Sequence, residues 1–127
     1  METTATTLLQ GIDTILIRVS DIAKAKQWYT SALGLKPIWE DPNSNLVVFD
    51  TNGITSLTLM QSEQPLERIK ETGTFPIFKT GDAAALKQLL EQRGVVTSEL
   101  VEDEYVCYFT FHDDDGNMLE ACQVKES

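Results

Sequence analysis

Histidine is almost absent from this chain, which has a single one, His112, among 127 residues. A metal or catalytic site built from two or more histidines of one chain is therefore excluded. Cysteine is also scarce, and the N-terminus "METTATTLLQ" lacks the basic start and the apolar run of a secretory signal. We therefore expect a cytoplasmic protein in which Cys107 and Cys122 are reduced thiols.

Basic residues are outnumbered, because 10 Lys and Arg stand against 20 Asp and Glu, for a net charge of -10. Nucleic-acid binding requires clustered basic side chains, so we expect no nucleic-acid partner. No apolar run approaches the ~20 residues of a membrane-spanning helix, so we expect no membrane partner. The length suffices for one domain with a core, and the acidic charge weakly favours cationic ligands.

One order of predicted elements occurs in about residues 10–61. β-Branched and apolar alternation predicts four strands, "GIDTILIRV" (11–19), "KPIWE" (36–40), "NLVVFD" (45–50) and "ITSLTLMQ" (54–61). The segment "SDIAKAKQWYTSALG" (20–34) predicts a helix capped by Ser20 or Asp21 and ended by Gly34. The polar segment 62–72 is predicted to be a linker.

The same order recurs in about residues 73–124. The predicted helix is "DAAALKQLLEQRG" (82–94), and the predicted strands are "TFPIFKT" (74–80), "VVTSELV" (95–101), "EYVCYFTF" (105–111) and "NMLEACQV" (117–124). "TILIRVSD" (14–21) lies 61 residues before "FPIFKTGD", and "LTLMQ" (57–61) lies 62 before "LEACQ". The sequence thus predicts an α+β protein of two tandem βαβββ modules that form a curved mixed sheet with a concave cleft.

Two segments carry a resemblance to a known family. "IDTILIRVSDIAKAKQWYTSALGLKP" resembles the opening strand, helix and "YxxxLGL" ending of the vicinal oxygen chelate superfamily, the glyoxalase / bleomycin resistance / dioxygenase family. "YFTFHDDDGNMLEACQ" resembles its closing "F-x-D-P-D-G-N-x-x-E" hairpin. The resemblance covers about residues 10–124 and implies a single domain over 1–127 and a homodimer. The family includes lyases, dioxygenases, thiol transferases and metal-free drug binders, so it does not by itself identify the function.

The resemblance also implies where metal ligands would lie, on the first and last strand of each module. Those positions are Thr14, about Thr58, Phe75 and Glu120. Only Glu120 is a good ligand, because a neutral hydroxyl binds a divalent ion poorly and a phenyl ring cannot bind one. A catalytic site normally needs three protein ligands, so we expect no complete metal site and no cofactor.

The acidic segment "HDDDGN" does not supply the missing ligands. Its place after a strand predicts a solvated His112 beside a turn; the alternative is a metal ion bound by His112 with Asp113 or Asp115. A calcium loop would need a glutamate six positions after the glycine, where Cys122 stands instead. We interpret the segment as a turn.

The closing hairpin determines what would face the cleft. If His112 pairs with Asn117, then Cys107 faces Cys122 and Phe109 faces Glu120. That face would carry seven side chains: Tyr105, Cys107, Phe109, Phe111, Met118, Glu120 and Cys122.

Three further residues are candidates for the cleft or its surroundings. By resemblance Arg18 looks toward the substrate, where it would hold a carboxylate or phosphate; the alternative is a salt bridge to Glu120. Trp39 is predicted at the cleft mouth or at an interface, and Trp28 between helix and sheet.

Three functions fit these features. The first is a metal-free binding protein for a drug or metabolite, as in the antibiotic-resistance branch of the family. Its expected ligand-binding residues are Thr14, Arg18, Trp39, Thr58, Phe75, Phe109 and Glu120. The alternative is a metal-dependent lyase or dioxygenase with Glu120 as ligand or base, in which a substrate or partner chain completes the coordination of a divalent ion. The third is an interaction module with a vestigial cleft.

Overall fold

The computed structural model describes residues 8–66 and 73–125, and part of the predicted linker, residues 67–72, lies outside the described residues. The first module consists of β1 (Thr14–Val19), α1 (Ile22–Ser31), β2 (Lys36–Asp41), β3 (Leu46–Asp50) and β4 (Ser56–Gln61). The second consists of β5 (Ile77–Lys79), α2 (Ala83–Gln92), β6 (Val101–Glu102), β7 (Val106–His112) and β8 (Met118–Val124). The predicted α+β class with two tandem βαβββ modules is confirmed.

Each module forms its own four-stranded mixed sheet. The strand orders are β1-β4-β3-β2 and β5-β8-β7-β6, in which β1 and β4 are parallel, β5 and β8 are parallel, and the other neighbours are antiparallel. The prediction of one continuous curved sheet is therefore refined to two sheets. Neither described helix is long and apolar enough to cross a membrane.

Both helices begin and end in the same way. The side chain of Asp21 accepts a hydrogen bond from the Lys24 amide at 3.1 Å, and that of Asp82 accepts one from the Ala85 amide at 3.0 Å. Each carboxylate thereby satisfies an amide that the first turn of a helix leaves unpaired. Beyond the helix ends, Gly34 and Gly94 adopt φ of 71° and 82°, a region that favours glycine. The sequence predicted both caps and both stops.

The helices cover one side of each sheet, α1 against β2, β3 and β4, and α2 against β7 and β8. Residues of both modules form one hydrophobic core beneath them. Its largest fully buried side chains are Val19, Tyr29, Phe49, Leu57, Leu59, Leu90, Phe109, Phe111 and Leu119.

The predicted strand "VVTSELV" is mostly irregular. Only Val101 and Glu102 form β6, and Thr97 makes an isolated bridge to Phe111. Between them the Thr110 amide donates to the Ser98 hydroxyl at 2.8 Å instead of to a main-chain carbonyl. A serine side chain therefore replaces one bond of the strand ladder, which interrupts the strand.

The predicted register of the closing hairpin is wrong by one residue. His112 pairs with Met118, Thr110 with Glu120, and Phe109 with Ala121. Because side chains alternate along a strand, this shift exchanges the two faces of β7 relative to β8.

Candidate functional site

Each sheet has a second side, opposite the helices, which we call the open face. On β1 the side chains of Ile17 and Val19 are buried toward the helices, whereas Leu16 and Arg18 are exposed on the other side. Strand pairing extends this face to the neighbouring strands, since residues paired side by side point to the same side of a sheet. The open faces are where a ligand can reach the sheets.

The open face of the first sheet contains two of the positions at which the family resemblance places metal ligands. Thr14 and Thr58 lie on neighbouring parallel strands, and their Oγ1 atoms are 2.7 Å apart, so that one hydroxyl donates to the other. Thr58 is almost fully buried. These hydroxyls therefore partner one another.

Glu120 lies on the open face of the second sheet. It stands between Ile77 of β5 and Thr110 of β7, and it is half-buried. Its carboxylate makes no hydrogen bond and no ion pair to any described residue. Burial raises the pKa of Glu120 because it disfavours the charged form. The structure thus presents a desolvated carboxylate without a partner among residues 8–66 and 73–125.

Arg18 does not supply that partner. Its exposed side chain forms no ion pair with a described residue, and burial is the cause of the Glu120 pKa shift. The predicted alternative, a salt bridge between these two residues, is therefore not formed.

The corrected register changes the aromatic and cysteine predictions. Phe109 is fully buried in the core and pairs with Ala121, so the prediction that it faces Glu120 across the cleft is wrong. Cys107 is likewise buried and pairs with Gln123, not with Cys122. Cys122 shares the open face with Glu120, and burial, followed by the nearby Glu120 charge, raises the pKa of its thiol.

The remaining aromatic candidates are found in three different settings. Phe75 is half-buried just before β5, and Ile77 rather than Phe75 pairs with Glu120. Trp39 pairs with Val48 on the open face of the first sheet and is 57% exposed. Trp28 contacts Tyr29 edge-on, with ring centroids 5.0 Å apart, and packs against the core as predicted.

A divalent metal ion does not fit these residues. The four family positions carry one carboxylate, two mutually bonded hydroxyls and a phenyl ring. Within residues 8–66 and 73–125, no three His, Cys, Asp or Glu side chains gather into a group that could hold an ion. The single histidine, His112, is exposed at the end of β7.

The acidic turn has a role that sequence reasoning missed. Asp113 is buried and accepts hydrogen bonds from the Tyr29 hydroxyl at 2.6 Å, from the Asp115 amide at 2.9 Å and from the Asn117 amide at 2.8 Å. Asp115 accepts bonds from the amide and the hydroxyl of Ser20 at 2.9 and 2.5 Å. Burial and the Asp113 charge raise the pKa of Tyr29. The segment is a turn, as predicted, and it also joins the two modules.

Sequence comparison identifies the family. Residues 11–121 match the Glyoxalase/Bleomycin resistance protein/Dioxygenase superfamily. The chain belongs to this superfamily. The resemblance noted in the opening helix and the closing hairpin is thereby confirmed. Among curated proteins, none matches the chain.

Solved structures of superfamily proteins share the fold at low identity. An antibiotic binding protein from Streptomyces sp. CB03234, TnmS3, has a TM-score of 0.75 at 22% identity, over 92% of this chain and 98% of that one. A glyoxylase/bleomycin resistance protein/dioxygenase domain from Frankia sp. EAN1pec has a TM-score of 0.75 at 21%, over 94% and 95%. Lactoylglutathione lyase from Agrobacterium tumefaciens has a TM-score of 0.70 at 20%, over 91% and 94%. These likenesses establish the fold of this superfamily member.

The raised pKa of Glu120 leads to a pH-dependent prediction. A carboxyl group with a raised folded-state pKa favours folding when it is protonated, and this contribution is lost as the pH rises through that pKa. We expect Glu120→Gln, which is always neutral, to unfold at a higher temperature than the wild type at pH 7. The gap should close near pH ~4, where the ordinary carboxyl group is largely protonated. Thermal unfolding followed by circular dichroism measures the unfolding temperatures of the two proteins at each pH. A difference in unfolding temperature that stays constant with pH would contradict the prediction.

Proposed function

We propose that this superfamily member binds a small organic molecule, a drug or a metabolite, on its open face and without a metal ion. The observation that carries the proposal is the half-buried Glu120 carboxylate, which has no partner among the described residues. A desolvated carboxylate gains free energy when a ligand supplies a cation or hydrogen-bond donors. The net charge of -10 attracts the same kind of ligand.

The open faces of the two sheets offer apolar surface for the body of such a ligand. Ile77, its neighbour on β5, is 56% exposed, and Leu16 on the first sheet is 46% exposed. Trp39 adds an accessible indole ring on the same side of the first sheet. Ligand sites of this kind combine apolar and aromatic surface with a few polar groups that orient the ligand. Thr14, Arg18, Thr58 and Phe75 remain the other candidate contacts.

A metal-dependent lyase or dioxygenase is the second candidate. The raised pKa of Glu120 favours it, because a general base works best when its pKa approaches the working pH. The donor set opposes it, because Thr14 and Thr58 hydrogen-bond to each other and Phe75 has no donor atom. Missing ligands would have to come from a chelating substrate or a partner chain. One structural neighbour is an antibiotic binding protein and another a lyase, so the fold alone does not decide.

The partners and the location follow from the same reasoning. We propose a homodimer, which the family resemblance implies, with sheet edges or helices meeting across a two-fold axis. A cytoplasmic location without nucleic-acid or membrane partners remains a prediction from composition and charge.

Metal content tests the proposal against the second candidate. We expect the purified protein to retain less than about 0.1 equivalents of metal after incubation with excess Ni²⁺, Zn²⁺, Mn²⁺ or Fe²⁺ and desalting, because three protein ligands are normally needed. Elemental analysis of the wild type and of Glu120→Gln measures this. About one ion per chain that is lost in the variant would overturn the metal-free proposal and lead to glyoxalase and ring-cleavage assays.

Ligand binding tests the open face directly. A panel of aromatic molecules, each as a cation and as its neutral analogue, is titrated while tryptophan fluorescence is followed. We expect a cationic member to quench the emission saturably, Glu120→Gln to weaken that binding about tenfold or more, and Trp39→Phe to remove most of the quench. Trp28, half-buried beside Tyr29, is the internal control. Equal binding by the wild type and Glu120→Gln would contradict the role of the carboxylate, and the absence of any binding would favour an interaction module.

A further inference from the structure

The two modules repeat each other down to single hydrogen bonds. The Gln61 side chain accepts a bond from the Ile22 amide at 2.9 Å, and the Gln123 side chain accepts one from the Ala83 amide at 2.9 Å. These pairs are related by the same offsets of 61 and 62 residues that relate the two halves of the sequence. Each residue of one module therefore has a defined counterpart in the other.

Where the turn of the second module meets β1 and α1, the two modules are locked together. Asp115 accepts two hydrogen bonds from Ser20, Asp113 accepts one from Tyr29, and the Asn117 side chain donates to the Arg18 carbonyl at 3.1 Å. We call this contact the closed joint.

The counterpart region, between the turn of the first module and the end of β5, lacks the side chains that form this lock. The five side chains of the closed joint have different residues as their counterparts. Ser20 corresponds to Gly81 and Tyr29 to Leu90, and in the turn Asp113, Asp115 and Asn117 correspond to Thr51, Gly53 and Thr55. None of the five carries a carboxylate. The Thr51 hydroxyl instead donates within its own turn, to the Thr55 carbonyl at 2.5 Å. We call this region the open joint.

A cavity of about 470 Å³ lies beside the open joint, between residues 51–57 with Ile15 on one side and residues 76–79 on the other; Thr51, Gly53 and Thr55 line it, whereas Gly81 and Leu90 do not. This volume is in the range of small-molecule sites. Its wall is mostly apolar, with Pro76, Ile77 and the fully exposed Ile54, and the side chains of Asn52 and Ser56 add hydrogen-bonding groups.

The charge of the cavity is opposite to that of the molecule. Among the described residues, Lys79 is the one charged residue that lines it, in a chain with 20 acidic residues. The Lys79 ammonium forms no ion pair and no side-chain hydrogen bond with a described residue. A cationic group over apolar surface is complementary to an amphipathic anion.

We propose that the cavity beside the open joint is a second binding site, for a small organic anion with an apolar body. Lys79 binds the anionic group, the isoleucines contact the body, and the ligand lies against Thr51 and Gly53, the counterparts of Asp113 and Asp115. Ile77 lines this cavity and is also the β5 neighbour of Glu120, so the two sites adjoin and favour ligands of opposite charge.

The sequence repeat supplies a variant that places a carboxylate in the cavity, at Gly53. Gly53→Asp with Gly81→Ser installs the counterparts of Asp115 and Ser20. A Cβ atom at Gly81 meets nothing within 4 Å, and one at Gly53 makes an ordinary 3.6 Å contact with the Thr51 hydroxyl. The chain can therefore accept both side chains.

The experiment is a titration with the fluorescent anion 8-anilinonaphthalene-1-sulfonate. We expect the probe to bind the wild type saturably and to bind Lys79→Met at least tenfold more weakly. We expect no binding to the double variant Gly53→Asp with Gly81→Ser. Lys24→Met, which removes a lysine near the closed joint, should bind within twofold of the wild type. Glu120→Gln, which removes a negative charge next to Ile77, should bind no more weakly than the wild type. Octanoate should displace the probe, and octan-1-ol at the same concentration should not.

The proposal is overturned if the wild type shows no saturable binding, if Lys79→Met or the folded double variant binds as the wild type does, or if octan-1-ol competes as well as octanoate. Should the double variant fail to fold by circular dichroism, Ile54→Asp places a carboxylate at a fully exposed position of the cavity wall. Ile54→Asp must then weaken binding, and unchanged binding also overturns the proposal. A loss in Glu120→Gln alone would assign the probe to the open face instead.

Discussion

Replacing Asp113 with alanine is expected to lower the free energy of unfolding by about 2–4 kcal/mol, because hydrogen bonds to a charged group contribute about 1.5–3 kcal/mol and a buried donor left without an acceptor costs about 1–3 kcal/mol. The substitution leaves the buried Tyr29 hydroxyl and the amides of Asp115 and Asn117 without their acceptor. It also removes one of the contacts that hold the turn of the second module against α1. This loss is a large part of the ~5–15 kcal/mol that stabilises a typical domain.

Urea denaturation followed by circular dichroism measures the Asp113 effect, and Asp114→Ala is the matched control. Asp114 lies in the same turn, and its side chain is exposed. Partial desolvation by the surrounding protein, followed by the neighbouring Asp113 and Asp115 charges, raises the pKa of its carboxyl group. Its removal should change stability by less than about 0.5 kcal/mol or stabilise slightly, as surface substitutions do. Equal effects of the two substitutions would mean that the turn does not hold the modules together.

Replacing Phe109 with alanine is expected to lower the free energy of unfolding by about 3–5 kcal/mol, because the substitution opens a cavity in a packed core. The side chain is fully buried, and its ring centroid lies 5.7 Å from that of Phe111. The covered face of β7, packed beneath α2, cannot collapse around so large a gap without shifting other side chains.

Thr110→Ala is the control for Phe109, since Thr110 is the next residue on β7 and points to the open face beside Glu120. It should change stability by less than about 1 kcal/mol, in keeping with a partly exposed position. A small effect at Phe109 and a large one at Thr110 would instead support the register predicted from the sequence, in which Phe109 faces the cleft.

The single-residue error in that register has a local chemical cause. The sequence prediction pairs His112 with Asn117, which leaves four residues in the turn. In the structure the turn contains five, because the Asp113 side chain accepts bonds from the amides of both Asp115 and Asn117 and its own amide donates to the Asn117 carbonyl at 3.0 Å. Side-chain acceptors of this kind stabilise turns that alternation along a strand does not reveal.

The elements themselves were predictable because their causes lie within a few residues of one another. Alternating apolar residues predict β7 and β8. An aspartate just before each helix predicts its start, because the aspartate side chain can accept a hydrogen bond from the amide three residues later. The interrupted strand before β6 was not predictable in this way, because the Ser98 hydroxyl accepts a hydrogen bond from the amide of Thr110, which lies on another strand.

The sequence by itself determined the two modules, the family, and the residue types at the four ligand positions: threonine, threonine, phenylalanine and glutamate. No tertiary arrangement can turn that set into three good metal ligands. Only the tertiary structure decided which groups meet. Thr14 and Thr58 are 44 residues apart and Ser20 and Asp115 are 95 apart, and no local pattern brings such pairs together. The same long-range packing left Glu120 without a partner in the part of the chain that the structure describes, and it left a cavity beside one joint where the counterpart is closed.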